Sequence, residues 1–297
     1  MQNVEVRRMA EKVVCAEFGG GGDNWNQSIL LASDQHFDST HCDRDLLEKH
    51  LKQARATNSL VFFLGDWFDA MQGRSDKRGN KSGIRPEYKR SDYLNALIEE
   101  TCDFLEPYAE NIAGWAEGNH ETSIEKYTEL NLLSCCIREL SVRGNTTIQP
   151  MGYTGWIYFR PMRPGKKKKA FGTVRLAYTH GTGGGVVTRG SLNVNRRSIM
   201  WPDADIIASG HIHESFMMEV QRERVSDQGR LYQDTQWHLQ LPSYKDEFSG
   251  DGNGWWHETG KSPRPKGAWW VDLSKQFVKT TTQNYAEHIQ IDLRRAQ

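Results

Sequence analysis

Long hydrophobic runs are missing from this sequence, in which 37% of the 297 residues are hydrophobic. A transmembrane helix needs about 20 consecutive apolar residues, so we expect no membrane span and no membrane partner. The N-terminal stretch 1–14 mixes charged and short apolar side chains and lacks the apolar core of a secretory signal. The expected location is therefore the cytoplasm.

Cysteine and an excess of charge of one sign are also lacking. The five cysteines form an odd set with no Cys-x-x-Cys spacing, which argues against a disulfide scaffold or a zinc knuckle and favours free thiols in a reducing compartment. Lys and Arg number 38, as do Asp and Glu. This balance argues against a protein that grips long nucleic acid mainly through a basic face, although a local basic rim stays compatible with it.

Apolar runs typical of buried strands alternate with amphipathic helical segments in the first half of the chain. The predicted strands there are 28–33 and 60–64, and the predicted helices are 43–56, about 91–109 and about 123–142. The second half favours strands, predicted at 153–160, 173–179, 205–209, 216–225, 231–241 and 268–273. Because no linker divides the chain, we predict an N-terminal extension 1–27, a single domain 28–273 and a C-terminal extension 274–297.

Five short clusters of metal-binding side chains each follow an apolar strand segment. They are Asp34-Gln35-His36, Gly65-Asp66, Gly118-Asn119-His120-Glu121, His180-Gly181 and Gly210-His211-Ile212-His213. Functional groups of α/β sheets collect beyond the carboxyl ends of strands, so we expect the five clusters to meet at one point. On an extended segment, residues two apart face the same side, which would bring Asp34 and His36 together and likewise His211 and His213. Such oxygen and nitrogen donors suit Mn, Fe, Co, Ni or Zn without choosing among them.

The complete, ordered set of motifs over residues 34–213 resembles the calcineurin-like metallophosphoesterase family. The resemblance implies an α/β fold, a four-layer αββα sandwich of two mixed β-sheets flanked by helices. It implies two divalent transition-metal ions as cofactors, with Mn weakly favoured, and hydrolysis of a phosphate ester. The positive charge that such a pair of ions brings would attract an anionic phosphate.

Roles for individual residues also come from the resemblance. One metal would take Asp34, His36, Asp66 and His213, and the second would take Asp66, Asn119, His180 and His211, so that Asp66 bridges the two. A hydroxide between the metals would attack phosphorus. His120 would act as the general acid for the leaving oxygen, and Glu121 or another acid would steady His120.

The substrate class and the surrounding contacts are left open by the motifs. We favour phosphodiesters of the nucleotide or nucleic-acid type, with a phosphomonoesterase or protein phosphatase as the alternative enzyme. A non-catalytic binding scaffold with the same fold is the alternative of another class, although such relatives usually lose ligands and this chain keeps all of them. The candidate substrate contacts are Arg189, Arg196, Arg197, Trp255 and Trp256. Their ordinary alternatives are solvated arginines and aromatic packing, and the basic stretch 74–90 is a candidate polyanion rim.

Overall fold

Two β-sheets pack face to face, with helices on their outer faces. This computed structural model describes residues 4–70, 85–165, 169–183, 190–191, 193–246, 263–279 and 285–297. The predicted sandwich of two mixed sheets flanked by helices is confirmed.

The sheets are built from thirteen strands in the described part of the chain. These are β1 (Val4–Ala10), β2 (Val13–Phe18), β3 (Asn26–Ala32), β4 (Leu60–Leu64), β5 (Ile112–Ala116), β6 (Gln149–Met151), β7 (Thr154–Pro161), β8 (Val174–Thr179), β9 (Ile206–Ser209), β10 (Phe216–Val225), β11 (Leu231–Gln240), β12 (Ala268–Lys279) and β13 (Tyr285–Ala296). One sheet has the order β1-β2-β7-β8-β9-β11-β10 and the other β13-β12-β3-β4-β5-β6. In the second sheet β3 to β6 run parallel and β12 pairs antiparallel to β3. In the first sheet β8, β9 and β11 run parallel.

The described helices are α1 (Arg44–Ala56), α2 (Tyr93–Leu105), α3 (Asn119–Thr128), α4 (Leu132–Arg143) and α5 (Asn193–Met200), with 3-10 turns at Pro86–Tyr88 and Glu106–Asn111.

Helix α1 has a side-chain cap at its N-terminus, which Asp43 provides. The Asp43 carboxylate accepts a hydrogen bond from the Leu46 amide at 3.1 Å, which satisfies one of the free amides of the first turn. Helix α2 is shorter than the predicted 91–109 and tightens into the 3-10 turn that contains Pro107. Proline has no amide hydrogen to continue an α-helix, so the α-helical pattern ends there.

The single helix predicted over 123–142 is wrong, because the structure has two helices, α3 and α4. Glu129 ends α3 in the left-handed region with φ of 56°. Asn131 then caps α4 by accepting a hydrogen bond from the Ser134 amide at 2.8 Å. The apolar periodicity continues across the break and hides it, whereas the Asn131 cap is a local signal of a new helix start.

Apolar side chains fill the space on both faces of the central strands. Along β3, Ile29 and Leu31 lie in the core between the sheets, and Leu30 and Ala32 lie in the core beneath the helices α1, α2 and α4. Burial on both faces is why these strands read as continuous apolar runs. The outer face of the other sheet carries a small cluster around Ile207 near α5. The rigid strands between these cores fix the positions of the loops at their carboxyl ends.

Strands from both terminal segments belong to the sheets. β1 and β2 extend one sheet at its edge, and β13 extends the other beside β12. The domain limits at 27 and 273 stay predictions. None of the described helices combines the length and the apolar character that crossing a membrane requires.

Candidate metal centre

The five clusters come together at the carboxyl ends of five strands. Asp34, Asp66 and Asn119 follow the neighbouring parallel strands β3, β4 and β5, while His180 and His211 follow the parallel neighbours β8 and β9 of the other sheet. The two sheets therefore deliver ligands from opposite sides to one place, as the position of each cluster after an apolar run predicts.

Left-handed backbone conformations turn the ligand side chains inward. Five of the predicted metal ligands have positive φ, namely Asp34 (56°), His36 (48°), Asp66 (52°), His211 (73°) and His213 (54°). The explanation of the Asp34–His36 and His211–His213 spacing by extended segments is therefore wrong. Left-handed residues other than glycine cost roughly 1–2 kcal/mol each, with Asp and His better tolerated than most. Such conformations cluster at functional sites.

Two glycines let backbone approach the ligands more closely than any side chain would permit. A Cβ on Gly118 would lie 2.1 Å from Asp66 Oδ1, and one on Gly210 would lie 2.6 Å from Asp34 Oδ2 and 2.1 Å from Ser33 Oγ. Any larger residue would have to displace a predicted metal ligand. These glycines thus have a packing reason to stand beside the ligands.

The first cluster consists of Asp34, His36 and His213, whose ligand atoms all lie within 4.8 Å of one another. His36 Nε2 lies 3.1 Å from His213 Nε2, and His213 Nε2 lies 3.2 Å from Asp34 Oδ1. Burial opposes the charged form of Asp34, but the neighbouring histidines outweigh it and lower its pKa to about 2. The carboxylate is therefore ionised at neutral pH and suited to a cation.

The second cluster consists of Asp66, His180 and His211, again with ligand atoms within 4.8 Å of one another. His180 Nδ1 donates a hydrogen bond to the Leu64 carbonyl at 3.1 Å, which directs Nε2 into the site. Nε2 lies 3.0 Å from Asp66 Oδ2, outside hydrogen-bonding geometry. Asn119 Oδ1 lies 2.7 Å from His211 Nδ1, so the predicted neutral ligand joins this cluster.

The two clusters adjoin, since His180 Nε2 lies 3.9 Å from Asp34 Oδ1. Buried imidazole nitrogens that face each other or lack a hydrogen-bond partner need a shared cation or proton to be satisfied. In the protein alone, burial opposes charge on His180, but Asp66 and Asp34 prevail and raise its pKa to about 10. The donor set of carboxylates, imidazoles and one amide fits two divalent transition-metal ions.

His120 lies beside the clusters with its ring held in one orientation. Its Nδ1 donates to the Asp69 carbonyl at 2.6 Å, and its amide donates to Asp66 Oδ1 at 2.9 Å. The other ring nitrogen, Nε2, lies 3.8 Å from Asp66 Oδ2. Burial lowers the pKa of His120, but Asp66 and Asp69 outweigh burial and raise it above the usual range. A protonated Nε2 facing the centre has the position of a proton donor.

Glu121 has a different place from the expected direct support of His120. Its Oε2 accepts hydrogen bonds from the amides of Asp66 (3.0 Å) and Gly118 (2.8 Å), and its Oε1 accepts one from the Phe68 amide (3.0 Å). Burial and the charge of Asp66 raise the pKa of Glu121 to about 7. Within the described residues Glu121 makes no hydrogen bond to the His120 ring. It fastens the loop after β4 to the loop after β5, while the Asp69 backbone holds His120.

Asp69 and Lys245 are site residues that the sequence reasoning missed. Asp69 Oδ1 lies 2.9 Å from His36 Nδ1, and Lys245 Nζ lies 3.1 and 3.2 Å from the two Asp69 oxygens. The amide of Asp69 in turn donates to Asp38 at 2.6 Å. Although His36, Asp69 and His120 also form a compact group, the ion pair with Lys245 identifies Asp69 as an outer support that orients a ligand. For Asp69, the signal in the sequence was its position as the second acid of Gly65-Asp66-Trp67-Phe68-Asp69.

The candidate substrate contacts divide into three groups. Arg197 is buried and Arg196 is exposed on the same helix α5. Arg189, Trp255 and Trp256 lie outside the described residues, as does most of the basic stretch 74–90.

The family model for calcineurin-like phosphoesterases matches residues 28–215, which is more than half of the chain and includes every cluster above. No curated protein matches the chain. Among solved structures, a predicted phosphoesterase from Streptococcus pneumoniae TIGR4 is similar at 13% identity over 90% of this chain and 99% of the other, with a TM-score of 0.32. Vps29 from Chaetomium thermophilum is similar at 10% identity over 91% and 98%, with a TM-score of 0.35. GAP50 of Plasmodium is similar at 12% identity over 90% and 89%, with a TM-score of 0.39. Structural similarity at these TM-scores carries no argument about function.

Proposed function

The chain belongs to the calcineurin-like phosphoesterase family, and from this premise we propose that it is a two-metal phosphoesterase that hydrolyses phosphodiesters of the nucleotide or nucleic-acid type. The observation that carries the proposal is the convergence of a complete donor set. All seven predicted ligands lie at the ends of neighbouring strands, in two clusters that adjoin through the short His180–Asp34 separation, with Asn119 beside His211 in the second. A scaffold without metal chemistry has no need for five ligands in unfavourable backbone conformations.

In this proposal Asp34, His36 and His213 would hold one ion, Asn119, His180 and His211 would hold the other, and Asp66 would be a ligand of both. Two such ions, when bound, polarise phosphoryl oxygens and acidify water. Mn is the weakly favoured metal. The residues of the chain hold and orient the donors: Asp69 aligns the His36 ring, and the Leu64 carbonyl aligns the His180 ring.

His120 is the proposed general acid. Its Nδ1 stays committed to the Asp69 carbonyl, so the proton that leaves is the one on Nε2, directed toward the centre. A positioned imidazolium that protonates an alkoxide leaving group typically accelerates the reaction by about 10²–10⁴-fold. Such help is needed when the leaving group is a sugar hydroxyl.

The preference for diesters is supported by the charge of one segment. Seven Lys and Arg residues lie between 74 and 90, directly after the loop that carries Asp66 and Asp69 in the sequence. A basic segment that follows a ligand-bearing loop in the sequence favours a substrate with several phosphates along its backbone. The hydrolysis of a single phosphomonoester would gain less from it.

Paired assays test this function. Protein stripped with a chelator and reloaded with Mn²⁺ would be given bis(4-nitrophenyl) phosphate and 4-nitrophenyl phosphate side by side. We expect metal-dependent hydrolysis with the higher kcat/KM for the diester. A large preference for the monoester would replace the diester proposal by a phosphomonoesterase. If the reloaded protein hydrolyses neither ester, nor any nucleotide diester, the binding scaffold becomes the correct class.

A further inference from the structure

One buried arginine next to the metal clusters, Arg197, is paired with no anion among the residues that the structure describes. Arg197 lies on α5 and only 7% of its surface is exposed. Within the part of the chain that the structure describes, its guanidinium forms no ion pair and no hydrogen bond. Burial without compensation lowers the pKa of Arg197 to about 10, which still leaves it charged at neutral pH. A buried, unpaired charge is unfavourable to folding, so this arginine needs an explanation.

Arg197 borders the second metal cluster. A Cβ placed on Gly181, the residue after His180, would lie 3.9 Å from Arg197 Nη2 and 3.5 Å from His211 Cβ. The guanidinium, His211 and the Gly210 carbonyl oxygen, which would lie 3.2 Å from that Cβ, thus surround the same small space beside Gly181. The arginine reaches the edge of the centre from the α5 side.

His238 is a further described neighbour of Arg197, and it supplies no negative charge. His238 of β11 is close enough to be influenced by Arg197, and burial together with the charges of Arg197 and Arg222 lowers its pKa to about 4. His238 is therefore neutral at pH 7, and it interacts instead with Ser198 Oγ at 2.9 Å. The surroundings of Arg197 are neutral or positive on this face.

Two other partly buried arginines, Arg222 and Arg44, are paired with carboxylates, whereas the partly buried Arg295 donates to Ser215 Oγ and to the Lys266 carbonyl. Arg222 bonds both oxygens of Asp234, at 2.7 and 3.0 Å, and Arg44 forms an ion pair with Glu100. Arg197 differs from all three, because its guanidinium has neither a carboxylate nor a hydrogen-bond acceptor among the described residues. None of the described carboxylates pairs with Arg197, and an anion bound at the adjoining centre would supply the partner.

We propose that the Arg197 guanidinium binds a phosphoryl oxygen of the substrate at the edge of the second metal cluster. The planar fork of N–H donors matches two phosphate oxygens, and the guanidinium lies near His211 Cβ, at the edge of the second cluster. The inference rests on the proposed function, because it assigns the anion to the same centre. It also separates Arg197 from the exposed Arg196, which has no such environment.

A ligand-binding role and a structural role predict opposite changes in stability. Replacing Arg197 by Met keeps most of the side-chain volume and removes the buried charge. If the arginine serves the ligand, the melting temperature of the metal-free protein stays the same or rises, while phosphate binding weakens. If the arginine holds the fold together, the melting temperature falls.

The test is calorimetric binding of inorganic phosphate to the full-length protein loaded with Mn²⁺. We expect Arg197→Met to weaken phosphate binding by at least about tenfold, the usual loss for a charge-assisted hydrogen bond, and Arg197→Lys to fall between Met and the wild type. Arg138→Met, which removes an exposed arginine from α4, is the control for a loss of overall charge and should bind phosphate like the wild type. The melting temperatures of the metal-free variants are measured in parallel.

The outcomes separate this inference from the proposed function. Wild-type phosphate affinity in Arg197→Met, or no phosphate binding by the loaded wild type, overturns the anion site. A lower melting temperature of Arg197→Met with unchanged phosphate binding also overturns it, in favour of a structural role. If phosphate binding depends on Arg197 while the wild type hydrolyses no ester, the anion site stands and the proposed activity falls.

Discussion

Protons and metal ions should compete for the second cluster, and a rise in pH is the perturbation that reveals the competition. In the protein without metal, burial disfavours charge on His180, but Asp66 at 3.0 Å and the more distant Asp34 raise its pKa to about 10. A metal ion must displace this proton from Nε2, because a coordinating imidazole is neutral. Burial lowers the pKa of His36 in the first cluster, so loading of that cluster needs no proton release from His36.

The free energy of this competition follows from the difference between pH 7 and the pKa of His180. A pKa of about 10 places the neutral form about three pH units away, which corresponds to ~4 kcal/mol of competition against the metal. Apparent affinity for the second ion should therefore rise about tenfold per pH unit from pH 7 to pH 9. The folded pKa lies above the unfolded value of about 6.5. Protonated His180 thus stabilises the metal-free fold fully below the unfolded pKa of about 6.5. This stabilisation is lost as the pH rises through the folded pKa of about 10.

Isothermal titration calorimetry with Mn²⁺, in buffers of different ionisation enthalpy, measures both the affinity for the second ion and the number of protons that its binding releases. We expect release of close to one proton with the second ion at pH 7, on linkage grounds, and a pH slope that disappears in His180→Gln. Second-ion affinity that is independent of pH, with no proton released, would refute the reasoning about the His180–Asp66 pair.

Three substitutions test other parts of the site. His120→Asn, compared with the wild type at equal metal occupancy, should lower kcat by ~10²–10⁴-fold for a diester with a poor leaving group. The loss should be smaller for a nitrophenyl ester. If the variant and the wild type turn over the poor-leaving-group ester equally fast, His120 is not the general acid. Glu121→Gln places an amide donor against backbone amides that donate to the wild-type carboxylate. The free energy of unfolding, measured in urea, should fall by about 1–3 kcal/mol. An unchanged unfolding midpoint would show that these hydrogen bonds do not hold the loops together. Gly210→Ala adds a Cβ 2.6 Å from Asp34 Oδ2, so calorimetry should show weakened Mn²⁺ binding; wild-type affinity would mean that the loop adjusts freely.

The positions of the ligands were predictable because each motif directly follows an apolar strand. Residues 28–33 and 60–64 read as buried strands, and parallel strands present their following residues at one edge. The structure has Asn26–Ala32 and Leu60–Leu64 there, with Asp34 and Asp66 beyond them. Periodicity and motif order are local properties of the sequence, and they sufficed to predict the converging side chains, whereas the sandwich was predicted from the resemblance to the family.

What could not be predicted depends on tertiary contacts. The left-handed conformation of Asp34 and His36 exists because surrounding loops impose it, and an isolated Asp-x-His segment prefers other backbone angles. The Lys245–Asp69 ion pair joins residues 176 positions apart in the chain. The difference between Arg196 and Arg197 likewise appears only when α5 is placed on its sheet.

The most direct measurement of the central claim is turnover of bis(4-nitrophenyl) phosphate as a function of bound Mn²⁺ per chain, for the wild type and for Asp66→Asn. Asp66 lies in the second cluster and is the proposed bridge between the two ions. The account predicts that wild-type activity appears as the second ion binds, and that Asp66→Asn loses both the second ion and the activity. A wild-type protein that binds two ions yet hydrolyses no phosphate ester, or an Asp66→Asn variant that retains full turnover, would contradict it.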